Sequence, residues 1–392
     1  MITAPPIPVK VNEVFVVGNV SENPSAMDTA HFFGQREDVS DVISLKTFEN
    51  TEFCPRFISE PTNNNFVGYG LEGKGVVIAS STTLSHPRNE VAMRNLMVAR
   101  AAKDNGAAWV VLVEPDLFYA AQDRGPRIGM GSRGDQRSDE DRTKFNGQPF
   151  SALLYAQLLK LSGVDEVMTV HNHSESVKTV FNDIFNGYFT DLSPHHLYAR
   201  YILESNIVDP LNTLLVAPDQ GALSFVLKTK EAIGLPENAY MVMSKSRSSE
   251  RLLTMDISEN SPLGFDAIEG KELIIMDDMV RTGGTIVKCA QMLKQYNPKK
   301  LIFLVTHFHA SKETRINLAS SLIDDIITTN TIPSILNRDV QGRLRTKIAV
   351  LKTSRWIAHH LRHRFGLEHG ELKGKWYQED MSSRNPRSGF RY

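Results

Sequence analysis

Two adjacent carboxylates and a turn suited to anions stand close together in one stretch of the chain. Asp277 and Asp278 follow the apolar run 273–276, and the sequence Thr-Gly-Gly-Thr occupies residues 282–285. Glycine permits backbone angles that other residues resist, so successive N–H groups of such a turn can face one point. Apolar residues then recur at helical spacing, which puts the turn at a helix N-terminus, where phosphate binds. Backbone amides that can bind a phosphate are expected beside carboxylates that can bind sugar hydroxyls or a metal ion. This combination predicts a site for a phosphorylated sugar.

The apolar run 273–276 is typical of a buried parallel strand. The two acids are therefore expected at the carboxyl end of that strand, where open α/β sheets bind ligands. An ordinary strand, turn and helix with surface acids is the alternative that this stretch alone leaves open.

Short apolar runs and amphipathic segments alternate along most of the chain. Residues 14–19, 75–81 and 109–115 are predicted strands, and the amphipathic stretch between the last two is a predicted helix that ends at Gly106. A second series of strands and helices follows. This alternation predicts an α/β fold with mostly parallel sheets, arranged in two similar halves.

Bulk composition sets limits on function. The chain has 392 residues, enough for about two to three domains. The formal net charge of −1 does not favour nucleic acid or an anionic membrane as a partner, and no apolar run is long enough to span a bilayer. Two cysteines far apart in sequence, Cys54 and Cys289, fit a reducing compartment, so a cytoplasmic location is expected.

The Gly- and charge-rich stretch 124–148 is predicted to be a mobile loop, and 369–392 a polar tail.

Several further stretches resemble the ribose-phosphate pyrophosphokinase family in order and spacing. Stretch 272–285 itself resembles the phosphoribosyl-pyrophosphate motif that this family shares with type I phosphoribosyltransferases. The resemblance covers residues 12–366. The stretches that carry it are FENTE (48–52), SSTT (80–83), YAAQDR (119–124), VHNHSESVKTVF (170–181), VAPDQGAL (216–223), SKSR (244–247) and TTNTIP (328–333).

The resemblance implies two tandem type I phosphoribosyltransferase-like domains, each a mostly parallel sheet flanked by helices. Residues 1–190 would form the ATP-side domain, 191–354 the ribose 5-phosphate domain, and 355–392 a helix packing back on the first domain plus the polar tail. The implied reaction is transfer of the diphosphoryl group of ATP to ribose 5-phosphate, with Mg²⁺ as cofactor. A homo-oligomer, either a hexamer or the dimer from which it is built, is also implied.

Site residues are carried over from the family position by position. Lys245 and Arg247, which are expected in a loop after a strand, match the catalytic cations that would steady the transferring phosphates. His173 and Asp219 match the residues near the metal. The implied ATP-binding residues are Phe48, Asn50, Glu52, Gln122, Asp123, Arg124 and His173. The implied ribose 5-phosphate-binding residues are Asp219, Asp277, Asp278, Arg281, Thr282, Gly283, Gly284 and Thr285.

Departures from the family pattern leave two other functions open. Arg281 replaces an aspartate before Thr-Gly-Gly-Thr, Ala121 replaces an arginine before Gln-Asp, and Asn50 replaces an aspartate. A non-catalytic regulatory homologue of the synthase is one alternative, and a phosphoribosyltransferase that consumes phosphoribosyl pyrophosphate is the other. Phe48 could also be a simple core residue instead of a nucleotide contact.

Overall fold

The computed structural model divides the chain into two compact units. The first unit combines Met1–Leu192 with Ser354–Trp376, and the second combines Ser193–Thr353 with Tyr377–Tyr392. The structure describes residues 4–21, 23–58, 68–127, 129–131, 143–247 and 253–380.

The first unit is built on a five-stranded sheet whose neighbouring strands all pair in parallel. The strands of this unit are β1 (Glu13–Gly18), β2 (Ile43–Thr47), β3 (Phe53–Phe57), β4 (Lys74–Ala79), β5 (Trp109–Val113), β6 (Glu166–Val170) and β7 (Phe189–Leu192). The sheet order is β1-β4-β5-β6-β7, and β2 and β3 form a separate antiparallel hairpin. Its helices up to this point in the chain are α1 (Pro24–Phe33), α2 (Val39–Val42), α3 (Arg88–Asp104), α4 (Ser151–Ser162) and α5 (Glu175–Ile184).

The central strands follow the sequence pattern closely. All five residues of β5 are buried, as expected of a strand covered by helices on both faces. Helix α3 stops at Asp104, and Gly106 then adopts the left-handed conformation with φ 91°. The predicted strand and helix boundaries agree here to within about two residues, because burial and glycine placement both act locally.

The β2–β3 hairpin is a feature that the sequence analysis missed. Most residues of both strands are exposed or half-buried, and only Ile43 and Phe57 are buried. The apolar periodicity that marks the sheet strands is therefore absent from this pair.

The second unit carries an eight-stranded sheet in the order β10-β9-β8-β11-β12-β13-β14-β15. Its strands are β8 (Thr213–Ala217), β9 (Tyr240–Arg247), β10 (Leu253–Ile257), β11 (Glu272–Val280), β12 (Lys300–Phe308), β13 (Asp325–Thr329), β14 (Ile348–Lys352) and β15 (Gln378–Glu379). Its helices are α6 (His195–Ser205), α7 (Leu223–Ile233), α8 (Gly284–Lys294), α9 (Lys312–Leu318) and α10 (Arg338–Gln341). Short 3₁₀ turns are Pro210–Asn212, Gln220–Ala222, Phe265–Ala267, Pro333–Leu336 and Gly342–Thr346. Within the described part of this sheet, only the edge pairs β9–β10 and β14–β15 are antiparallel, so the predicted α/β fold with mostly parallel sheets is confirmed.

Two strands of the second unit run further than the sequence analysis expected. Strand β9 continues to Arg247, so Lys245 and Arg247 lie in a strand and not in the loop that was predicted for them. Strand β11 continues to Val280, which places Asp277 and Asp278 inside its second half. In both cases pairing with a neighbouring strand continues past the last apolar residue of the run, which a hydrophobic pattern cannot show.

The last helix, α11 (Ser354–Arg364), belongs to the first unit and packs against α1. Arg364 Nε donates to both oxygens of the fully buried Glu166, at 2.7 and 2.9 Å, and Trp109 Nε1 donates to the same carboxylate at 3.2 Å. In the described part of the chain, no helix is long and apolar enough to cross a membrane.

Candidate active site

The Thr-Gly-Gly-Thr turn lies between β11 and α8, as predicted. We call residues 281–285 the phosphate loop. Gly283 has φ 78°, a backbone conformation that favours glycine, and a Cβ added there would crowd the side chain of Leu318 at 3.1 Å. Across the described residues, no acceptor takes a hydrogen bond from the backbone N–H groups of Thr282, Gly283, Gly284 or Thr285. Four unbonded amides at a helix N-terminus form a site with the polarity that a phosphate group requires.

Three carboxylates lie near one another in the second unit. Asp277 Oδ1 accepts a hydrogen bond from the N–H of Asp278 at 2.9 Å, and Asp219 begins the 3₁₀ turn after β8 by accepting from Gly221 N at 3.0 Å. Burial raises the pKa of the Asp277 carboxyl well above its usual range, and the charges of Asp278 and Asp219 raise it further. A neutral or partly protonated carboxyl can both donate to and accept from sugar hydroxyls.

An exposed cation lies at the start of the phosphate loop. Arg281 is exposed, and within the described ranges its guanidinium forms no hydrogen bond or ion pair. The site therefore combines unbonded amides and a free guanidinium on the phosphate side with carboxylates next to them. Lys245 and Arg247 are described only as backbone positions in β9, where Lys245 pairs with Met255 of β10.

The predicted ATP-binding residues Phe48, Asn50 and Glu52 lie in or beside the turn of the β2–β3 hairpin. The ring of Phe48 is 43% exposed, so the alternative that it is a core residue is wrong. Lys46 Nζ lies 4.8 Å from the centre of that ring, and Asn50 Nδ2 donates to Glu52 Oε2 at 2.9 Å. The hairpin thus presents an exposed aromatic ring with polar groups beside it, the combination that would stack on a base and hydrogen-bond its edge.

The other predicted nucleotide contacts, Gln122, Asp123 and Arg124, form a second surface of the first unit. Asp123 is buried, and its backbone carbonyl accepts from Ser176 Oγ at 2.7 Å, which ties the segment to α5. The guanidinium of Arg124 lies over the ring of Phe145 at 5.3 Å. No hydrogen bond or ion pair in the described structure joins this segment to the turn of the β2–β3 hairpin. The remainder of the predicted mobile loop includes residues 128 and 132–142, which lie outside the described residues.

The predicted metal-associated residues belong to different units, with His173 in the first and Asp219 in the second. His173 is exposed in the connection between β6 and α5. His171, two residues earlier, has φ 50°, a left-handed conformation uncommon for a residue with a side chain. Among the described residues, no group of three or more His, Cys, Asp and Glu side chains could hold a metal ion without other ligands.

A buried carboxylate that the sequence analysis passed over lies just after β5. Glu114 Oε1 accepts from Ser80 Oγ at 3.0 Å, Asn95 Nδ2 at 2.8 Å and Tyr155 OH at 3.0 Å, and Oε2 accepts from Phe118 N at 2.9 Å. Burial raises the pKa of Glu114 to about 7, against the opposing effect of these hydrogen bonds. The only sequence signal is a charged residue that follows an apolar strand directly. Its bond to Phe118 N holds the start of the segment that leads to Gln122.

Comparison with known proteins supports the family that the motifs indicated. Residues 235–377 match the family model described as phosphoribosyl synthetase-associated domain. The chain is 28% identical over 266 residues to a ribose-phosphate pyrophosphokinase of Ralstonia nicotianae, covering 67% of this chain and 72% of that protein. It is 27% identical over 324 residues to the one of Vibrio parahaemolyticus, covering 82% of this chain and 88% of that protein.

A solved structure shows the fold of most of the chain. The phosphoribosylpyrophosphate synthetase of Mycobacterium smegmatis superposes with a TM-score of 0.69 at 22% identity, covering 91% of this chain and all of the other. The predicted pair of type I phosphoribosyltransferase-like domains is thereby confirmed. The chain is similar to ribose-phosphate pyrophosphokinases over most of its length, at the low identity expected of a divergent relative of that family.

Proposed function

We propose that this chain transfers the diphosphoryl group of ATP to the anomeric hydroxyl of ribose 5-phosphate, giving phosphoribosyl pyrophosphate and AMP. The observation that carries the proposal is the phosphate loop, whose unbonded amides lie near carboxylates in a chain similar to this family. The loop amides and Arg281 would hold the 5-phosphate, and Asp277 and Asp278 would hold ribose hydroxyls. Fixing the sugar at both ends leaves its anomeric hydroxyl at a defined position.

In the proposed reaction, the anomeric oxygen forms a bond to the β-phosphorus of ATP and loses its proton to solvent. The bond between the β-phosphorus and the oxygen that links it to the α-phosphate breaks, and AMP leaves with that electron pair. Charge spreads over the phosphoryl oxygens during such a transfer, so catalysis is mainly positioning and electrostatic stabilisation. We assign the stabilisation to Lys245 and Arg247, because arginine can bind phosphate with two hydrogen bonds and lysine acts as a point charge.

ATP would bind through the first unit. We assign adenine stacking to Phe48 and contacts to the rest of the nucleotide to Asn50, Glu52 and the segment 122–124. His173 would lie beside the ATP phosphates. Support comes from the exposure of the Phe48 ring and from the attachment of segment 122–124 to α5.

Mg²⁺ fits the donor set on the sugar side. This ion takes oxygen ligands and is usually held by one or two carboxylates together with phosphate oxygens, so its binding does not require a complete protein cage. When bound, it would neutralise part of the triphosphate charge. Asp219 supplies an oxygen ligand, and His173 keeps the metal-associated position that the resemblance implies.

The decisive experiment follows the β-phosphate of ATP. Purified chain is incubated with ATP labelled at that phosphate and with ribose 5-phosphate. Label should move into phosphoribosyl pyrophosphate with an equal amount of AMP, and no AMP should form without the sugar. Lys245→Ala should reduce turnover about a hundredfold or more, whereas Lys228→Ala, which changes an exposed lysine of α7, should not.

Other outcomes of this assay would identify the alternatives. Consumption of phosphoribosyl pyrophosphate with a base, releasing pyrophosphate, would indicate a phosphoribosyltransferase. A chain that lacks both activities and changes the activity of a purified bacterial ribose-phosphate pyrophosphokinase would be a regulatory homologue.

We further propose a homo-oligomer and a cytoplasmic location. Support for self-association comes from apolar side chains exposed on the neighbouring helices α3 and α4 of the first unit, namely Met93, Met97, Leu154, Leu158 and Leu161, which are 37–78% exposed. Sedimentation analysis of the wild type and of Leu158→Glu tests the first point, because a charge in a real interface should dissociate the assembly. The two cysteines, neither of which is in a disulfide, agree with the second point.

A further inference from the structure

Side chains near and within α9 hold the carbonyl groups of the phosphate loop. Thr314 Oγ1 donates a short hydrogen bond to the carbonyl of Arg281, and Ser311 Oγ donates to the same oxygen at 3.1 Å. Asn317 Nδ2 donates to the carbonyl of Thr282 at 2.8 Å. The first two carbonyls of the loop are therefore fixed toward this helix.

The planarity of the peptide bond gives these contacts a consequence for the ligand site. In a trans peptide the carbonyl oxygen and the N–H of the next residue point in opposite directions. Holding the carbonyl of Arg281 toward α9 turns the N–H of Thr282 away from it, and holding the carbonyl of Thr282 does the same for the N–H of Gly283. The carbonyl of Gly283 accepts from Val287 N at 3.0 Å, which fixes the next peptide in the first turn of α8.

The glycines make such fixing necessary. A loop with two consecutive glycines can rotate its peptides at low cost, and a rotated peptide would present a carbonyl oxygen to the phosphate. Thr314 is fully buried, so water does not compete with its hydrogen bond to the carbonyl of Arg281.

We propose that Thr314 and Asn317 are positioning residues of the sugar-phosphate site, because they keep the phosphate loop oriented with its amides toward the ligand. They touch neither substrate in this arrangement and act only through the loop. The inference rests on the proposed function, since it takes ribose 5-phosphate as the ligand of the loop.

The test compares Thr314→Val, which removes the hydroxyl, with Thr314→Ser, which keeps it. Calorimetry gives the Kd for ribose 5-phosphate, and steady-state assays give the KM for each substrate. Thr314→Val should raise the Kd and the KM for ribose 5-phosphate about tenfold while the KM for ATP stays within about twofold, and Thr314→Ser should restore near-wild-type values. Asn317→Ala changes a half-buried residue and removes its hydrogen bond to the carbonyl of Thr282. This variant should show the same pattern as Thr314→Val. Ile316→Ala, which changes an exposed residue of the same helix, is the matched control and should change neither KM.

The possible failures are distinguishable. A wild type that makes phosphoribosyl pyrophosphate, with both Thr314→Val and Asn317→Ala binding the sugar normally, overturns the inference and leaves the proposed function intact. Equal increases in both KM values, not repaired by serine, indicate general destabilisation and also overturn it. A wild type that does not bind ribose 5-phosphate overturns the inference together with the proposed function.

Discussion

Replacing Glu114 by glutamine should change how the stability of the first unit depends on pH. The carboxyl is fully buried, and its pKa is about 7 in the folded chain compared with an ordinary value of 4.5. The folded state therefore holds a proton that the unfolded state has already lost between these two pH values. By linkage, the free energy of unfolding must fall as pH rises from about 4.5 to about 7 and then level off.

The size of this effect follows from the same two pKa values. A tenfold difference in proton affinity corresponds to about 1.4 kcal/mol, so Glu114 alone should lower the free energy of unfolding by about 3 kcal/mol across that range. Glutamine cannot ionise and keeps the shape of the side chain. It retains an oxygen that can accept from Phe118 N, while the hydroxyls of Ser80 and Tyr155 can reorient toward its amide group. The variant should therefore lack this decline in stability.

The assay can be confined to the first unit. All three tryptophans of the chain, Trp109, Trp356 and Trp376, belong to that unit, so urea unfolding followed by tryptophan fluorescence reports on it selectively. The quantity to compare is the difference in unfolding free energy between wild type and Glu114→Gln at each pH from 5 to 8. Glu175→Gln, which changes a glutamate whose side chain is 82% exposed, is the control and should track the wild type. Wild-type and Glu114→Gln curves that stay parallel over this range would refute the reasoning.

Three further predictions concern other parts of the molecule. Phe48→Ala should weaken ATP binding by about 1–3 kcal/mol and leave the KM for ribose 5-phosphate unchanged, as measured by steady-state kinetics; equal loss for both substrates would contradict the stacking role. Glu166→Gln removes the buried charged partner of Arg364 and should lower the free energy of unfolding of the first unit by about 3–5 kcal/mol. Urea unfolding followed by tryptophan fluorescence measures this change. A decrease below about 1 kcal/mol would be inconsistent with a buried ion pair. Asp277→Asn removes a carboxyl with a raised pKa, so the variant should become more stable than the wild type as pH rises toward 8, as measured by melting scans. The same variant should bind ribose 5-phosphate more weakly, as measured by calorimetry. A loss of stability at pH 8 would count against the buried, acidic environment assigned to this carboxyl.

The sequence predicted those features of the fold that depend on local pattern. Buried strands such as β5 have continuous apolar runs, and Gly106 marks the end of α3 with a left-handed backbone angle. The phosphate loop was also predictable, because a Thr-Gly-Gly-Thr turn after an apolar strand carries its geometry in four residues.

Features that depend on partners distant in sequence were not predictable. The β2–β3 hairpin lacks apolar periodicity, and β9 extends to Arg247 only because β10 pairs with it. The environment of Glu114 comes from side chains that approach it from α3, α4 and the end of β4, none of which a linear pattern brings together. The hydrogen bonds from α9 to the phosphate loop likewise join residues that are 33 and 35 positions apart in the sequence.

A crystal structure of the chain with ribose 5-phosphate tests the central claim most directly. The 5-phosphate oxygens should lie about 2.7–3.2 Å from backbone nitrogens between Thr282 and Thr285, with the ribose hydroxyls toward Asp277 and Asp278. A sugar phosphate bound away from these amides, or a loop whose carbonyl oxygens face the phosphate, would contradict the account.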